Sequence, residues 1–330
     1  MINIAINGFG RIGRSLCRVL VQRKDIRLVA INDLADIHTL AHLLKYDSVH
    51  GRFPGEVQVE GDQMIVNGHP VKVTALHDPS ELPWKSMNVQ IVVESTGHFR
   101  NRKSAELHLK AGAEKVIISA PPKDGDIKTV VLGVNDDILD GSEKIMSNAS
   151  CTTNSAAPMV KILDEHWGIE SGYITTVHSY TSDQRLHDAP HSDLRRARAA
   201  AYSIVPTTTG AAKAITRIFP HLDGKMGGCG IRVPVPDGSL TDLTCMLKNP
   251  PSGIEEVNKV FLDAANGPLK GILDYNPDPI VSIDIVGDSH SCIFDPDLTS
   301  VLGNMVKVVG WYDNEMGYSN RLADLIERVG

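Results

Sequence analysis

The chain contains no C-x-x-C pair, no excess of basic residues, no internal repeat and no low-complexity segment. It also has no apolar run near the ~20 residues that a membrane helix needs. Each absence excludes a class. Its five cysteines, Cys17, Cys151, Cys229, Cys245 and Cys292, are odd in number and widely spaced, so neither a disulfide framework nor a zinc site is indicated and no metal is expected. A formal net charge of -7 disfavours nucleic acid as the main partner and leaves it at most a side activity. The start, Met1 to Ile6, lacks the basic region of a signal peptide and runs straight into a structural motif. The chain is therefore expected to begin at Met1 and to be cytoplasmic, and the sequon Asn148-Ala149-Ser150 reads as accidental. At 42% apolar and 22% charged, the composition is that of an ordinary soluble protein, and 330 residues exceed what one core usually serves. Two domains are expected.

The first half repeats strand, helix, strand. An Ile-rich run from Ile2 to Ile6 leads into Gly8-Phe9-Gly10-Arg11-Ile12-Gly13, then a helical pattern of Ile12, Leu16, Val19 and Leu20. Glycines at this spacing permit a tight turn, close backbone approach to a pyrophosphate, and close helix–strand packing. A second strand, Leu28 to Ile31, ends in Asn32-Asp33. Asp33 follows Gly13 by 20 residues, where a carboxylate can bond a ribose 2′-hydroxyl and repel a 2′-phosphate. That favours NAD over NADP. Further apolar strands are expected at Val89–Glu94, Lys115–Ser119 and Thr129–Leu132, with a helix over 103–111 and a small antiparallel insertion between Gly51 and Pro83. Ser95, Thr96 and Ser119 sit at strand carboxyl ends, where open α/β sheets bind ligands.

The second half centres on Ser147-Asn148-Ala149-Ser150-Cys151-Thr152-Thr153-Asn154. The apolar run that follows is helix-like, which puts the thiol at a helix N-terminus, where backbone N–H groups favour the thiolate. Covalent catalysis competes here with a small buried hydrophobe. Alternating segments at 173–180, 230–235, 240–247, 281–286 and 305–311 suggest a largely antiparallel sheet. One helix is expected over 253–266, with Ser252 and Glu255 in capping-box spacing. A last helix carries Leu322, Leu325, Ile326 and Val329. The polar stretch 181–201 reads as a long loop running into an arginine-rich helix face.

Taken in order, these motifs resemble glyceraldehyde-3-phosphate dehydrogenases over essentially the whole chain. The match runs from Asn7–Arg14 and Ser147–Asn154 through His178-Ser179-Tyr180-Thr181, Asp193–Ala200 and Pro206–Lys213 to Trp311–Glu315. The resemblance implies a Rossmann-type parallel-sheet cofactor domain, residues 1–149, to which a C-terminal helix, 315–330, returns. It implies an α+β catalytic domain with a largely antiparallel sheet over 150–314. It also implies a homotetramer serving glycolysis and gluconeogenesis, with NAD as cofactor.

The implied chemistry is oxidative phosphorylation of glyceraldehyde 3-phosphate by inorganic phosphate. Cys151 forms a hemithioacetal and then a thioester, and His178 acts as general acid and base. Thr181, Asp183 and Arg232 are implied to line the site for the substrate's own phosphate. Ser150, Thr152, Arg196, Thr209 and Gly210 are implied for inorganic phosphate, while the neighbouring Arg195 and Arg198 read as surface charge. On the cofactor side the resemblance implies Gly8, Gly10, Arg11, Ile12 and Gly13 at the pyrophosphate turn, Asp33 at the ribose, Ser119 at the adenosine or nicotinamide-ribose region, and Asn314 at the nicotinamide amide.

Three stretches depart from the family pattern. Ser155 stands where a second cysteine is common. Ala189-Pro190 differs from the usual Leu-Pro and leaves room for NADP. Val235–Asp242 departs in a region used for packing. The nearest alternative is erythrose-4-phosphate dehydrogenase, which passes its acyl group to water; Thr208-Thr209-Gly210 disfavours it. A thiol acyltransferase or hydrolase without redox chemistry is disfavoured by Asp33 and the glycine turn.

Overall fold

The computed structural model describes all 330 residues. It falls into two compact units: Met1–Val130 with Asp136–Ala149 and Ser319–Gly330, and Val131–Asn135 with Ser150–Tyr318.

The first unit is built on a nine-stranded sheet. Ile2–Asn7 lies at its middle, flanked in parallel by Ile26–Asn32 and Ile91–Glu94. Lys115–Ile118, Ile145–Ser147 and Lys128–Thr129 extend it in parallel on one side, and His69–Thr74 on the other. Ile4, Ala5, Ile6, Val92 and Val93 are fully buried, as expected of a parallel sheet covered on both faces. Two findings differ from the sequence reading. The expected insertion is no separate body. His69–Thr74 joins the parallel sheet, and the Val57–Glu60 and Gln63–Val66 strands extend it antiparallel. The expected strand at 129–132 stops at Thr129, because beyond Val130 the chain turns, with Val134 and Asn135 both bonding to Val131 O.

The second unit carries an eight-stranded sheet. The long strand Ile169–Ser179 pairs antiparallel with Ser239–Leu247, which pairs antiparallel with Met305–Tyr312. Met226–Val233 lies parallel to Ile169–Ser179 on its other side. Helix Cys151–Trp167 packs its Ala156, Ala157, Met159, Val160 and Leu163 into the core.

Three expectations fail locally in this unit. Residues 281–286 form turns, because Val281 N–H bonds Asp284 Oδ2 while Asp284 N–H bonds Val281 O. That local closure competes with a ladder despite the alternating Val281, Ile283 and Ile285. The capping carboxylate of helix Ile254–Asn266 is Glu256, which accepts from both the N–H and the hydroxyl of Ser252; Glu255 plays no part. Residues 181–201 contain no helix; side-chain caps such as Asp193 Oδ1 on Arg195 N–H hold successive turns instead.

Candidate active site

Cys151 is the first residue of its helix, and Ser150 is the N-cap, extended at φ -128 and ψ 167. The Ser150 hydroxyl accepts the Thr153 N–H at 3.1 Å. Just before it, Ala149 is held at φ 55, a conformation an alanine rarely adopts. No sequence pattern signals that strain. Cys151 itself is partly exposed.

His178 belongs to the strand Ile169–Ser179. Its Nε2 lies 3.5 Å from Cys151 Sγ. Thr176, two residues earlier on the same face, bonds Tyr312 Oη at 2.8 Å, and Thr152 bonds the same oxygen at 2.9 Å. The Tyr312 ring meets the imidazole edge-on, 5.9 Å between centroids. A buried tyrosine thus ties the cysteine helix to the histidine strand. Thr152, expected to line a phosphate site, has its hydroxyl directed into this tie.

Arg232 faces His178 in the parallel register. Its Nη1 lies 2.8 Å from His178 Nδ1 and 3.0 Å from Ser179 O, while Nδ1 itself lies 2.7 Å from Ser179 O. A guanidinium can only donate. Nδ1 thus lies between a donor and an acceptor: the Ser179 carbonyl at 2.7 Å calls for an Nδ1–H, which leaves the Nε2 lone pair towards Cys151, whereas Arg232 calls for a bare Nδ1. Burial first, then the Arg232 charge, pushes the imidazole down to about 3. Burial pushes the Cys151 thiol up, opposed by Arg232 and by the N–H and hydroxyl of Thr152. Each group charged alone is disfavoured, whereas proton transfer from sulfur to imidazole makes two opposite charges side by side.

Arg196 is anchored on every side. Its Nε donates to Thr207 Oγ1 at 2.9 Å, Nη2 to Thr208 O at 3.2 Å, and Nη1 to Asp183. Asp183, expected beside Arg232, is therefore paired with the arginine of the other expected anion site. Thr209 Oγ1 accepts the Ala211 N–H, and Gly210 begins helix Ala211–Ile218 with no side-chain cap of its own. Thr181 is partly exposed and its carbonyl accepts the Gln184 N–H. Asn314 Oδ1 accepts from Ser179 Oγ at 2.8 Å and Ser239 Oγ at 2.7 Å. Two hydroxyl donors fix the amide orientation and leave the NH2 as its donor. Neither serine was singled out from the sequence.

In the first unit, Gly8 has φ +92, and a Cβ there would meet Thr96 N at 2.7 Å. A Cβ on Gly13 would meet Gly8 O at 2.3 Å, so the helix can approach the turn this closely only with glycine at 13. Helix Arg11–Leu20 starts at Gly10 with no side-chain cap and no acidic residue in its first turn. Its first N–H groups, from Arg11 and Ile12 on, therefore suit an anion. Asp33 Oδ2 accepts the Phe9 N–H at 2.7 Å and Oδ1 the Ala35 N–H at 3.0 Å. The Arg11 guanidinium is bound by Asp47. Burial would raise Asp47, but Arg11 and the His50 and Val49 N–H groups outweigh it and hold the carboxyl at about 2. Ser119 Oγ donates to Glu94 O at 3.0 Å.

Two family models match the chain. One, described as glyceraldehyde 3-phosphate dehydrogenase, NAD binding domain, covers residues 2–102. The other, glyceraldehyde 3-phosphate dehydrogenase, C-terminal domain, covers residues 150–314. The chain belongs to the glyceraldehyde-3-phosphate dehydrogenase family. Proteins named glyceraldehyde-3-phosphate dehydrogenase share 58% identity with it in Mycobacterium avium, over 100% of this chain and 98% of the relative. The one from Thermotoga maritima shares 59%, over 99% and 98%. The NAD-binding model spans the glycine turn and Asp33, and the C-terminal model spans Cys151, His178, Arg196, Arg232 and Asn314. Ser119 lies outside both.

Proposed function

We propose that the protein oxidises D-glyceraldehyde 3-phosphate to 1,3-bisphosphoglycerate with NAD and inorganic phosphate, the step shared by glycolysis and gluconeogenesis. The observation that carries this reading is the thiol of Cys151 at a helix N-terminus, 3.5 Å from His178 Nε2. Relatives over full length carry the name of this activity, so the erythrose-4-phosphate and non-redox alternatives are not favoured. The first unit suits NAD: the uncapped helix start suits an anion, the glycine turn packs its backbone closely on Thr96, and Asp33 stands at the end of its strand. When bound, NAD supplies the two-electron acceptor.

The protein's own groups do the remainder. Cys151 gives its proton to His178 Nε2 and its sulfur bonds the aldehyde carbon; the oxygen that becomes negative then takes that proton from Nε2. A tetrahedral carbon can then lose its C–H electron pair, which the planar aldehyde cannot do easily. His178 takes the hydroxyl proton back as the C=O re-forms and leaves a thioester on Cys151. A phosphate oxygen attacks that carbon, the C–S bond breaks, and the pair returns to sulfur. Arg232 is proposed to hold the substrate's phosphate with Thr181 and Asp183. Arg196, with Ser150, Thr152, Thr209 and Gly210, is proposed for inorganic phosphate, and Asn314 for the nicotinamide carboxamide.

The direct test is initial-rate NADH formation from glyceraldehyde 3-phosphate, with and without phosphate and with NAD or NADP. Turnover that does not rise with phosphate would remove the phosphorylating assignment. Two variants refine it. Arg196→Gln is expected to raise the KM for phosphate by roughly 10–100-fold, the worth of one or two charge-assisted hydrogen bonds, with the pre-steady-state NADH burst unchanged. A lost burst would place Arg196 in acyl-enzyme formation instead. Asp33→Ala is expected to raise the NAD KM by on the order of 10-fold and to narrow the preference over NADP. An unchanged preference would shift cofactor selection to Ala189-Pro190.

A homotetramer is proposed as well. The second unit leaves Leu186, Leu194, Tyr202, Ile204, Val281 and Ile283 exposed, Tyr202 at 90%. Such side chains, concentrated in 186–204 and 281–283, suit burial against further copies. Sedimentation that gives a monomer at micromolar concentration would refute it. No helix is long and apolar enough to cross a membrane.

A further inference from the structure

Behind the glycine turn, at the carboxyl ends of the central strands, lies a buried polar chain that the chemistry above does not use. Its centre is Glu94, the last residue of Ile91–Glu94, only 1% exposed. Both carboxylate oxygens receive hydrogen bonds. Oε1 accepts from the Thr96 N–H at 2.9 Å and from the Thr96 hydroxyl. Oε2 accepts from Asn7 Nδ2 at 2.6 Å and lies 3.0 Å from His108 Nε2.

The direction of every bond is fixed from outside. The Leu76 N–H, which can only donate, bonds Asn32 Oδ1 at 2.9 Å. Asn32 therefore turns its NH2 to Leu76 O and, at 2.8 Å, to Asn7 Oδ1. Asn7 must then present its own NH2 to Glu94. From the other side, the Trp84 indole N–H donates to His108 Nδ1 at 3.1 Å. An indole cannot accept, so Nδ1 is bare and the imidazole proton sits on Nε2, pointing at Glu94. Thr96 contributes a backbone N–H. Glu94 is thus surrounded by donors alone, and only a group that accepts at both oxygens fits.

This carboxylate sits directly behind the turn. Gly8 packs so closely on the Ser95–Thr96 backbone that a Cβ would meet Thr96 N at 2.7 Å. Ser95 Oγ donates to Gly8 O at 2.7 Å, and the Gly8 N–H donates to Asn32 O at 2.8 Å. The turn therefore rests on Thr96 and is entered from Asn7, and Glu94 binds both.

We propose that Glu94 is a positioning residue for the dinucleotide: it acts through Thr96 and Asn7 to set the glycine turn in the place that receives the pyrophosphate. The proposal rests on the NAD-binding reading of the first unit. It makes the isosteric change Glu94→Gln a severe one. An amide must put its NH2 against the Thr96 N–H on one side or against Asn7 and His108 on the other, so a donor meets a donor in either rotamer.

The experiment titrates NAD into the full-length enzyme by fluorescence and measures steady-state rates with glyceraldehyde 3-phosphate. Glu94→Gln is expected to raise the NAD dissociation constant at least 10-fold, and Glu94→Asp, which keeps both acceptors, less. At saturating NAD, kcat, the aldehyde KM and the rate of Cys151 alkylation by iodoacetamide should stay within about 2-fold of the parent. If Glu94→Gln does not fold, Thr96→Val removes one donor to Oε1 and is read in the same titration, with a 3- to 5-fold rise expected. NAD affinity within 2-fold in the folded variant would overturn the proposal. So would an equal loss in NAD affinity, aldehyde KM and alkylation rate, which marks general damage. If the parent enzyme itself bound no NAD, the underlying reading would fail instead, and the two outcomes are separate.

Discussion

Cys151→Ser is expected to lose turnover by on the order of 10⁴-fold or more while binding NAD within about 2-fold of the parent. The variant keeps the helix start, since Ser150 remains the N-cap and its bond to Thr153 N–H does not involve the sulfur. What it loses is the one nucleophile that can ionise there. The thiol is already pushed up by burial, with Arg232 and Thr152 pulling it back. A serine hydroxyl starts several units higher, and the same three groups cannot bring it into range. The hemithioacetal step therefore fails before any electron pair leaves the carbon. NADH formation and NAD titration are measured on the same preparation. Residual turnover above about 1% of the parent would show that another group attacks the aldehyde.

The sequence made the chemistry legible because its residues sit next to one another in the chain or at fixed motif spacing. Cys151 ahead of an apolar helical run, and Gly8, Gly10 and Gly13 with Asp33, are local patterns whose geometry follows from one helix start or one turn. The supporting groups were not legible, because they come from distant segments. Tyr312 is bonded to both Thr152 and Thr176, and no periodicity joins positions so far apart. The same holds for Ser179 and Ser239 on Asn314, and for Asn7, Glu94 and His108. Where reading failed, local side-chain bonds had overridden pattern. Val281, Ile283 and Ile285 alternate like a strand, yet Asp284 closes a turn among them. Arg195, Arg196 and Arg198 suggested a helix face, yet Asp193 and Asp188 draw that backbone into turns.

The arrangement around His178 sets a second large effect, because its two contacts at Nδ1 pull in opposite directions. Ser179 O at 2.7 Å favours the proton on Nδ1 and a lone pair on Nε2 towards Cys151, while Arg232 Nη1 at 2.8 Å favours the reverse. Arg232 is also the residue proposed to hold the substrate's phosphate. Were it drawn to that anion, Nδ1 would be left to donate to Ser179 O, 2.7 Å away, and the Nε2 lone pair would face the thiol proton. Arg232 touches the imidazole and not the sulfur, so shifting its charge to the phosphate raises the imidazole more than the thiol and favours the thiolate–imidazolium pair. His178→Asn is then expected to lower kcat by about 10²–10⁴-fold, the usual worth of a positioned acid and base, with the NAD dissociation constant unchanged. The sign of the pH effect follows. Without the imidazole no base takes the thiol's proton, and burial, which outweighs Arg232 and the Thr152 groups, holds the thiol above its ordinary value. Alkylation of Cys151 by iodoacetamide should be slow at pH 7 and recover only as the pH rises through that raised value. The parent's alkylation profile should rise at lower pH. Coincident profiles would mean that the imidazole does not take the thiol's proton, and a kcat within 10-fold of the parent would remove His178 from the proton transfers altogether.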